Sequence, residues 1–215
     1  MSSAGTPTSA GELLAGEVLD RLEGPWVAVM VYGSRVRGDF TAESDIDVLQ
    51  LVEKPAEDYQ RGLLTVSVRT VWQIRHQCED GDLYALSLCR EGRILADPTG
   101  VLARTLAGFR PPPDNYARKW REYQLKLTLL EVPPEAFEAN RVNLVRAALY
   151  LLRNACMIAY LRRFGEPCFS IPELARSLDV PNLPALFRGR ADPANLTRQR
   201  YDEVRMALGR LFAIT

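Results

Sequence analysis

The hydrophobic pattern of the chain changes period as it runs. Leu14, Val18, Leu19 and Leu22 recur at helical spacing and predict a first helix over residues 12–22, ended by Gly24-Pro25. Residues 27–31, Val-Ala-Val-Met-Val, form an apolar run short and β-branched enough for a buried strand. A second strand is expected over residues 45–52. The polar stretch 54–60 reads as a loop. Residues 63–71 alternate, with Leu64, Val66 and Val68 set against Thr65, Ser67 and Arg69, and predict a third strand. Thr70 is placed to cap a helix over residues 71–78, and residues 82–90 predict another. A turn, a short strand at Ile94-Leu95 and a stop at Asp97-Pro98 follow, then a closing helix over 101–109.

Pro111-Pro112-Pro113 breaks this series, because three prolines cannot continue a helix and make a stiff spacer. Beyond them the pattern is almost wholly helical. Tyr116, Trp120, Tyr123, Leu127 and Leu130 share one face of a helix over 115–130, which Pro133-Pro134 ends. Residues 135–164 are apolar around most of a helical circumference and predict the central helix of a bundle. Arg146, Arg153 and Asn154 interrupt it too often for a membrane span. A short helix over 170–178 is expected to start with Ser170 as its cap and Glu173 completing a capping box. A last amphipathic helix covers 197–212. The expected organisation is a tail over 1–11, a mixed domain over 12–110 and an all-helical domain over 114–215. The fold class is α+β.

Composition narrows the picture only a little. Lys plus Arg number 27 and Asp plus Glu number 27, so no bulk positive charge draws the chain to nucleic acid. The four cysteines have no metal-ligand spacing and there is one histidine, His76, which argues against a zinc site and for reduced thiols. The start of the chain lacks the basic and apolar segments of a signal peptide, so a cytoplasmic location and no membrane partner are expected.

The candidate chemistry is concentrated in residues 33–47. Asp45 and Asp47 are two residues apart, so on a strand both carboxylates leave the same face, their Cβ atoms roughly 7 Å apart. Two bare carboxylates at that distance repel by about 2 kcal/mol at an effective dielectric of ~20. A divalent cation reverses the sign, and paired carboxylates with waters and phosphate oxygens are a usual way to hold Mg²⁺. Gly33 permits a sharp turn and close backbone approach to a ligand, and Ser34 adds a hydroxyl and an N–H. If residues 35–38 begin a short helix, its first amides point at an anion as well. A P-loop is excluded, since residues 33–38 have neither its spacing nor its Lys-Ser/Thr ending.

Gly33-Ser34, ten intervening residues and Asp45-Ile46-Asp47, with Arg37-Gly38, Ser44 and apolar strands on both sides, resemble the signature of the DNA polymerase β-like nucleotidyltransferase superfamily. The resemblance is to its minimal and aminoglycoside-modifying branches, and the Glu91-Gly92 to Asp97-Pro98 ending resembles them too. It implies a small mixed sheet flanked by helices, followed here by a helical bundle. It also implies a Mg²⁺- or Mn²⁺-dependent transfer of a nucleoside monophosphate from an NTP, with ATP the expected donor. The acceptor hydroxyl lies on a small molecule, a protein or an RNA end. Asp45 and Asp47 would be catalytic and metal-binding. Gly33, Ser34, Arg35, Arg37 and Ser44 would bind nucleotide. The family's third carboxylate comes from the third strand, where this chain has only Thr65 and Ser67; Ser67 is taken as that position. Its absence leaves a second reading open, an NTP-binding pseudoenzyme acting as a regulatory or antitoxin-like partner.

In the second half Asn143, Arg146, Tyr150, Arg153 and Asn154 fall within about 100° of one helical wheel. This stripe fits either a solvated face or a contact with nucleotide or acceptor, with Lys119, Lys126, Arg146 and Arg153 as the candidate cations. A homodimer is compatible with the apolar faces of the bundle. The resemblance of that bundle to helical RNase domains does not extend to activity, since the bundle has no histidine.

Overall fold

The apolar run becomes β1 (Ala28–Tyr32), four of whose five residues are buried. The computed structural model describes residues 10–41, 44–180, 182–189 and 192–214. The chain divides into two compact units at Pro112/Pro113.

In the first unit, α1 (Ala10–Leu19) leads through a loop into β1. It begins two residues before the expected start and ends three before the expected stop. The rest of the expected tail, residues 1–9, lies outside the described residues. A one-turn helix, α2 (Ser34–Arg37), links β1 to β2 (Ile46–Val52). Then come β3 (Tyr59–Arg61), β4 (Leu64–Thr70), α3 (Val71–Glu79), α4 (Leu83–Glu91), β5 (Arg93–Ala96) and α5 (Val101–Ala107). The strands form one mixed sheet in the order β3-β4-β2-β1-β5. β2 and β4 run parallel, and the other neighbours are antiparallel.

β3 was not expected. Tyr59 and Gln60 lie inside the polar stretch read as loop and Arg61 just beyond it, and only Tyr59 is partly buried, so no apolar alternation announces it. Gly62, at φ 61°, turns the chain so that Arg61 pairs with Leu64. Tyr59 secures the strand. Its hydroxyl donates to Gln50 Oε1 (2.6 Å) and accepts from the Glu23 amide (2.8 Å). Gln50 Nε2 donates to the Glu23 carbonyl (2.8 Å), so the fully buried amide of Gln50 is satisfied on both sides.

Period-two alternation gives the sheet two apolar faces. Val29, Val31, Val48, Val66 and Val68 pack with Val18 of α1 on one. Ala28, Met30, Leu49 and Leu51 pack with Ile74 and Cys78 of α3, Ala85 and Leu88 of α4 and Leu102 of α5 on the other. Thr70 caps α3 as expected, within a full capping box with Gln73. Asp82 caps α4 through the Tyr84 amide (2.8 Å).

The second unit comprises α6 (Asn115–Leu129), α7 (Pro134–Phe164), α8 (Ile171–Ser177), α9 (Leu183–Phe187) and α10 (Arg198–Ile214). α7 is the central helix, with Phe137, Val145, Leu152 and Ile158 fully buried. Its most apolar window would suit a membrane span by length and composition, but 61% of that window is buried within the unit. The helix is not continuous as expected. Asn140 leaves helical geometry (φ −128°, ψ 19°), and its side-chain amide reaches back to the Ala136 carbonyl (3.4 Å), competing with the backbone ladder. The capping box expected at Ser170 does not form. Ser170 occupies the cap position without a side-chain bond, and Glu173 accepts from Ser177 Oγ (2.8 Å) and pairs with Arg176. α9 was missed, because five residues are too few to show a period.

Candidate active site

The candidate residues gather where β1 ends and β2 begins. Tyr32, the last residue of β1, is the register partner of Asp47. Gly33 follows with φ 81° and ψ −159°, a backbone conformation in effect reserved for glycine. A Cβ built there collides with Asp47 Oδ2 and lies 3.1 Å from its Cγ. The Asp47 carboxylate therefore occupies the space that any side chain at position 33 would need. Asp45 stands one pleat earlier and is half-exposed. The turn at Gly33 opens directly into α2, where the Val36 and Arg37 amides both donate to the Gly33 carbonyl (3.1 Å each).

The two arginines expected to neutralise phosphate charge have protein partners. Arg35 donates from Nη2 (2.8 Å) and Nε (3.2 Å) to the Ser44 carbonyl and lies over the Phe40 ring. It thus clamps the residue before Asp45. Ser44 Oγ accepts from the Thr41 amide (2.9 Å), which closes the loop from the other side. Arg37 reaches both carboxylate oxygens of Glu91 on α4 through Nη1 (2.8 Å each) and Asp39 through Nε (3.2 Å). Burial opposes its charge, yet the Glu91 bond and the charges of Glu91 and Asp39 outweigh that and push its pKa up. Ser34 is half-buried at the start of α2.

On β4 the register places Thr65, and not Ser67, directly across from Asp47; Ser67 pairs with Leu49. The Ser67 hydroxyl is 3.3 Å from that of Tyr32, whose ring therefore reaches across β2. Tyr84 of α4 packs edge-on against Tyr32, with centroids 5.4 Å apart. Burial first, and then Tyr32, push its phenol well above the ordinary range. The region where the resemblance calls for a third acid is thus occupied by hydroxyls. Among the described residues no three His, Cys, Asp or Glu side chains cluster as a metal site. Asp47 against a glycine, with Asp45 just before the start of β2, is a fitting but minimal donor set for a cation that also takes phosphate oxygens.

A cavity of about 640 Å³ lies elsewhere, lined by Trp26, Gln50, Val52, Tyr59 and Val68 among others. These strand positions are out of phase with Asp47, so the cavity is on the opposite face of the sheet and belongs to no candidate residue.

Residues 14–83 match the nucleotidyltransferase domain family. The matched segment contains β1, α2 and β2 with every candidate residue of the first unit, and it stops at the first residue of α4. Glu91 therefore lies outside it. A comparison with curated proteins finds no match. Among solved structures, a nucleotidyltransferase-like protein from Exiguobacterium sibiricum 255-15 is similar at 16% identity, over 96% of this chain and 74% of that one. Its TM-score of 0.30 is too low to carry an argument.

The candidates of the second unit are spread out. Lys119 is half-buried on α6, and Lys126 is paired with Glu122 (2.6 Å). On α7, Asn143, Arg146 and Tyr150 are exposed, Arg153 is half-buried and Asn154 is buried. The expected stripe is thus solvent-facing at its N-terminal end and turns into the bundle at its C-terminal end.

Glu91 was missed in the sequence as a partner of the site. The available signal was the Glu-Gly pair at the end of a predicted helix, which gives no hint of the loop it would meet 54 residues earlier.

Proposed function

We propose that the first unit binds an NTP with Mg²⁺ or Mn²⁺ at Asp45 and Asp47 and transfers its nucleoside monophosphate to an acceptor hydroxyl, with ATP as the donor. The observation that carries this reading is the Gly33–Asp47 approach. A glycine in a conformation closed to other residues, with a carboxylate filling its Cβ space, brings backbone and acid to one point. An ordinary strand–loop–strand connection has no use for that arrangement.

Nucleotidyl transfer asks little covalent chemistry of the protein; positioning and charge compensation dominate. A bound divalent cation would supply charge neutralisation at the phosphates. Asp45 and Asp47 would hold it, fixed by the start of β2. Gly33 and Ser34 would meet the phosphates through backbone and hydroxyl donors. Arg35 would keep Asp45 in place through the Ser44 carbonyl. With hydroxyls in place of a third acid, the attacking hydroxyl would be oriented by hydrogen bonding.

The test is melting temperature with each of the four NTPs, with and without Mg²⁺, for wild type and for Asp45→Asn/Asp47→Asn. Nucleotide at a hundred times its dissociation constant stabilises by about 2.7 kcal/mol. The expected result is a Mg²⁺-dependent rise that is absent from the double variant, and transfer of label from α-labelled NTP to a hydroxyl acceptor. No rise with any NTP sinks the reading.

A further inference from the structure

The Arg37–Glu91 pair joins the loop that follows Gly33 to the core. Arg37 ends α2, the turn of helix that starts at Gly33-Ser34. Glu91 ends α4, and only 9% of its side chain is exposed, against 20% for Arg37. The backbone beside Glu91 is held hard against the sheet. A Cβ on Gly92 would run into Met30 Sδ of β1 and would lie 2.5 Å from the Leu88 carbonyl oxygen. The chain then enters β5, which pairs with β1 at Arg93↔Val31 and Ile94↔Met30. Glu91 therefore stands two residues before the strand that pairs with β1, and β1 runs into Gly33. Asp39, the other partner of Arg37, belongs to the same loop and cannot tie it to the core.

We propose that Glu91 is a positioning residue for the nucleotide site: through Arg37 it latches α2, and with it Gly33-Ser34, in the conformation that receives phosphate. Arg37 is then a strut and not a phosphate ligand. This rests on the nucleotidyltransferase reading, but the latch itself can be read without nucleotide.

The two roles for Arg37 predict opposite effects of Glu91→Gln. As a strut, Arg37 loses its anchor and α2 loosens. As a phosphate ligand, it is released and NTP binds as well or better. The first measurement is amide hydrogen exchange at Val36, Arg37 and Gly38, whose N–H groups donate to the Gly33 and Ser34 carbonyls, referenced to β1 and β2 amides in the same sample. Glu91→Gln is expected to speed exchange at these three amides at least tenfold while the reference amides hold. It is also expected to weaken Mg²⁺–ATP binding by about fivefold to tenfold. Arg37→Met/Glu91→Met, which replaces the ion pair by apolar packing of similar volume, is expected to restore both. Glu91→Asp serves if the Gln variant does not fold, with the same readout in smaller degree. Unchanged exchange at Val36–Gly38 overturns the latch, and so does nucleotide binding in Glu91→Gln that is as tight as in wild type or tighter. Wild type that binds no NTP removes the nucleotidyltransferase reading alone, and the exchange data still decide the latch.

Discussion

At position 33 a side chain of any size has no room. Gly33→Ala places a methyl group on the Asp47 carboxylate and forces a β-carbon into φ 81°, so relief must come from moving Asp47 or from unwinding the turn. The backbone term alone is about 1–3 kcal/mol. Gly33→Ala is expected to lower the melting temperature and to abolish the Mg²⁺–NTP shift. A variant melting like wild type and still binding Mg²⁺–NTP would show that the approach is not needed. A second prediction at this scale uses the register. Because Thr65 faces Asp47 while Ser67 faces Leu49 and meets Tyr32, Thr65→Asp is expected to tighten Mn²⁺ binding about tenfold, and Ser67→Asp to leave it unimproved. Titration calorimetry of the two variants decides it. The sequence brought Asp45, Asp47, Gly33 and Ser34 into one candidate site, since their spacing is local. It did not show that Thr65, and not Ser67, is the register partner of Asp47, because that pairing joins two strands distant in sequence. The partners of Arg35 and Arg37 were hidden for the same reason.

Between elements, small polar contacts settle what apolar patterning leaves open. The edge strand β3 is held to β4 by three register pairs and by Asp58, which accepts from the Val68 amide (2.9 Å) and pairs with Arg69 through Nη2 (3.0 Å) and Nη1. Burial raises the Asp58 pKa, but the Arg69 and Val68 bonds outweigh it and leave the carboxyl below its ordinary value near 3.8. A carboxylate depressed in the folded state contributes stability above its unfolded value, and the contribution is lost as pH falls through the depressed one. The Asp58 side chain is half-exposed, so solvent screening keeps the effect small. Asp58→Asn is expected to be modestly less stable at neutral pH and to converge with wild type as pH falls through the depressed carboxyl value. Denaturant midpoints at pH 7 and along an acid series measure this; a deficit that does not change with pH would assign the cost to the lost Val68 bond geometry instead of charge. The long helices, α3, α4, α6, α7 and α10, were legible because they carry several turns of helical pattern, joined at α3 by the Thr70 cap. β3 and α9 were not, being too short for any period.

Each unit carries its own buried core, and this sets the prediction for the whole chain. In the second unit Tyr201 is fully buried on α10, packs on Phe137 of α7 with centroids 5.1 Å apart, and donates its hydroxyl to the Leu130 carbonyl at 2.7 Å. That carbonyl closes α6, so one side chain joins three helices. Tyr201→Phe keeps the ring and leaves a buried carbonyl without its donor, a cost of about 1–3 kcal/mol. For a unit of this size a kilocalorie shifts the midpoint by roughly 4–8 °C. Calorimetry of the full chain is expected to show a lowered transition for the helical unit, while the Mg²⁺–NTP shift of the other unit keeps its wild-type size. If Tyr201→Phe instead removes that nucleotide shift, nucleotide binding depends on the helical unit, and Lys119, Arg146 and Arg153 become the residues to replace next.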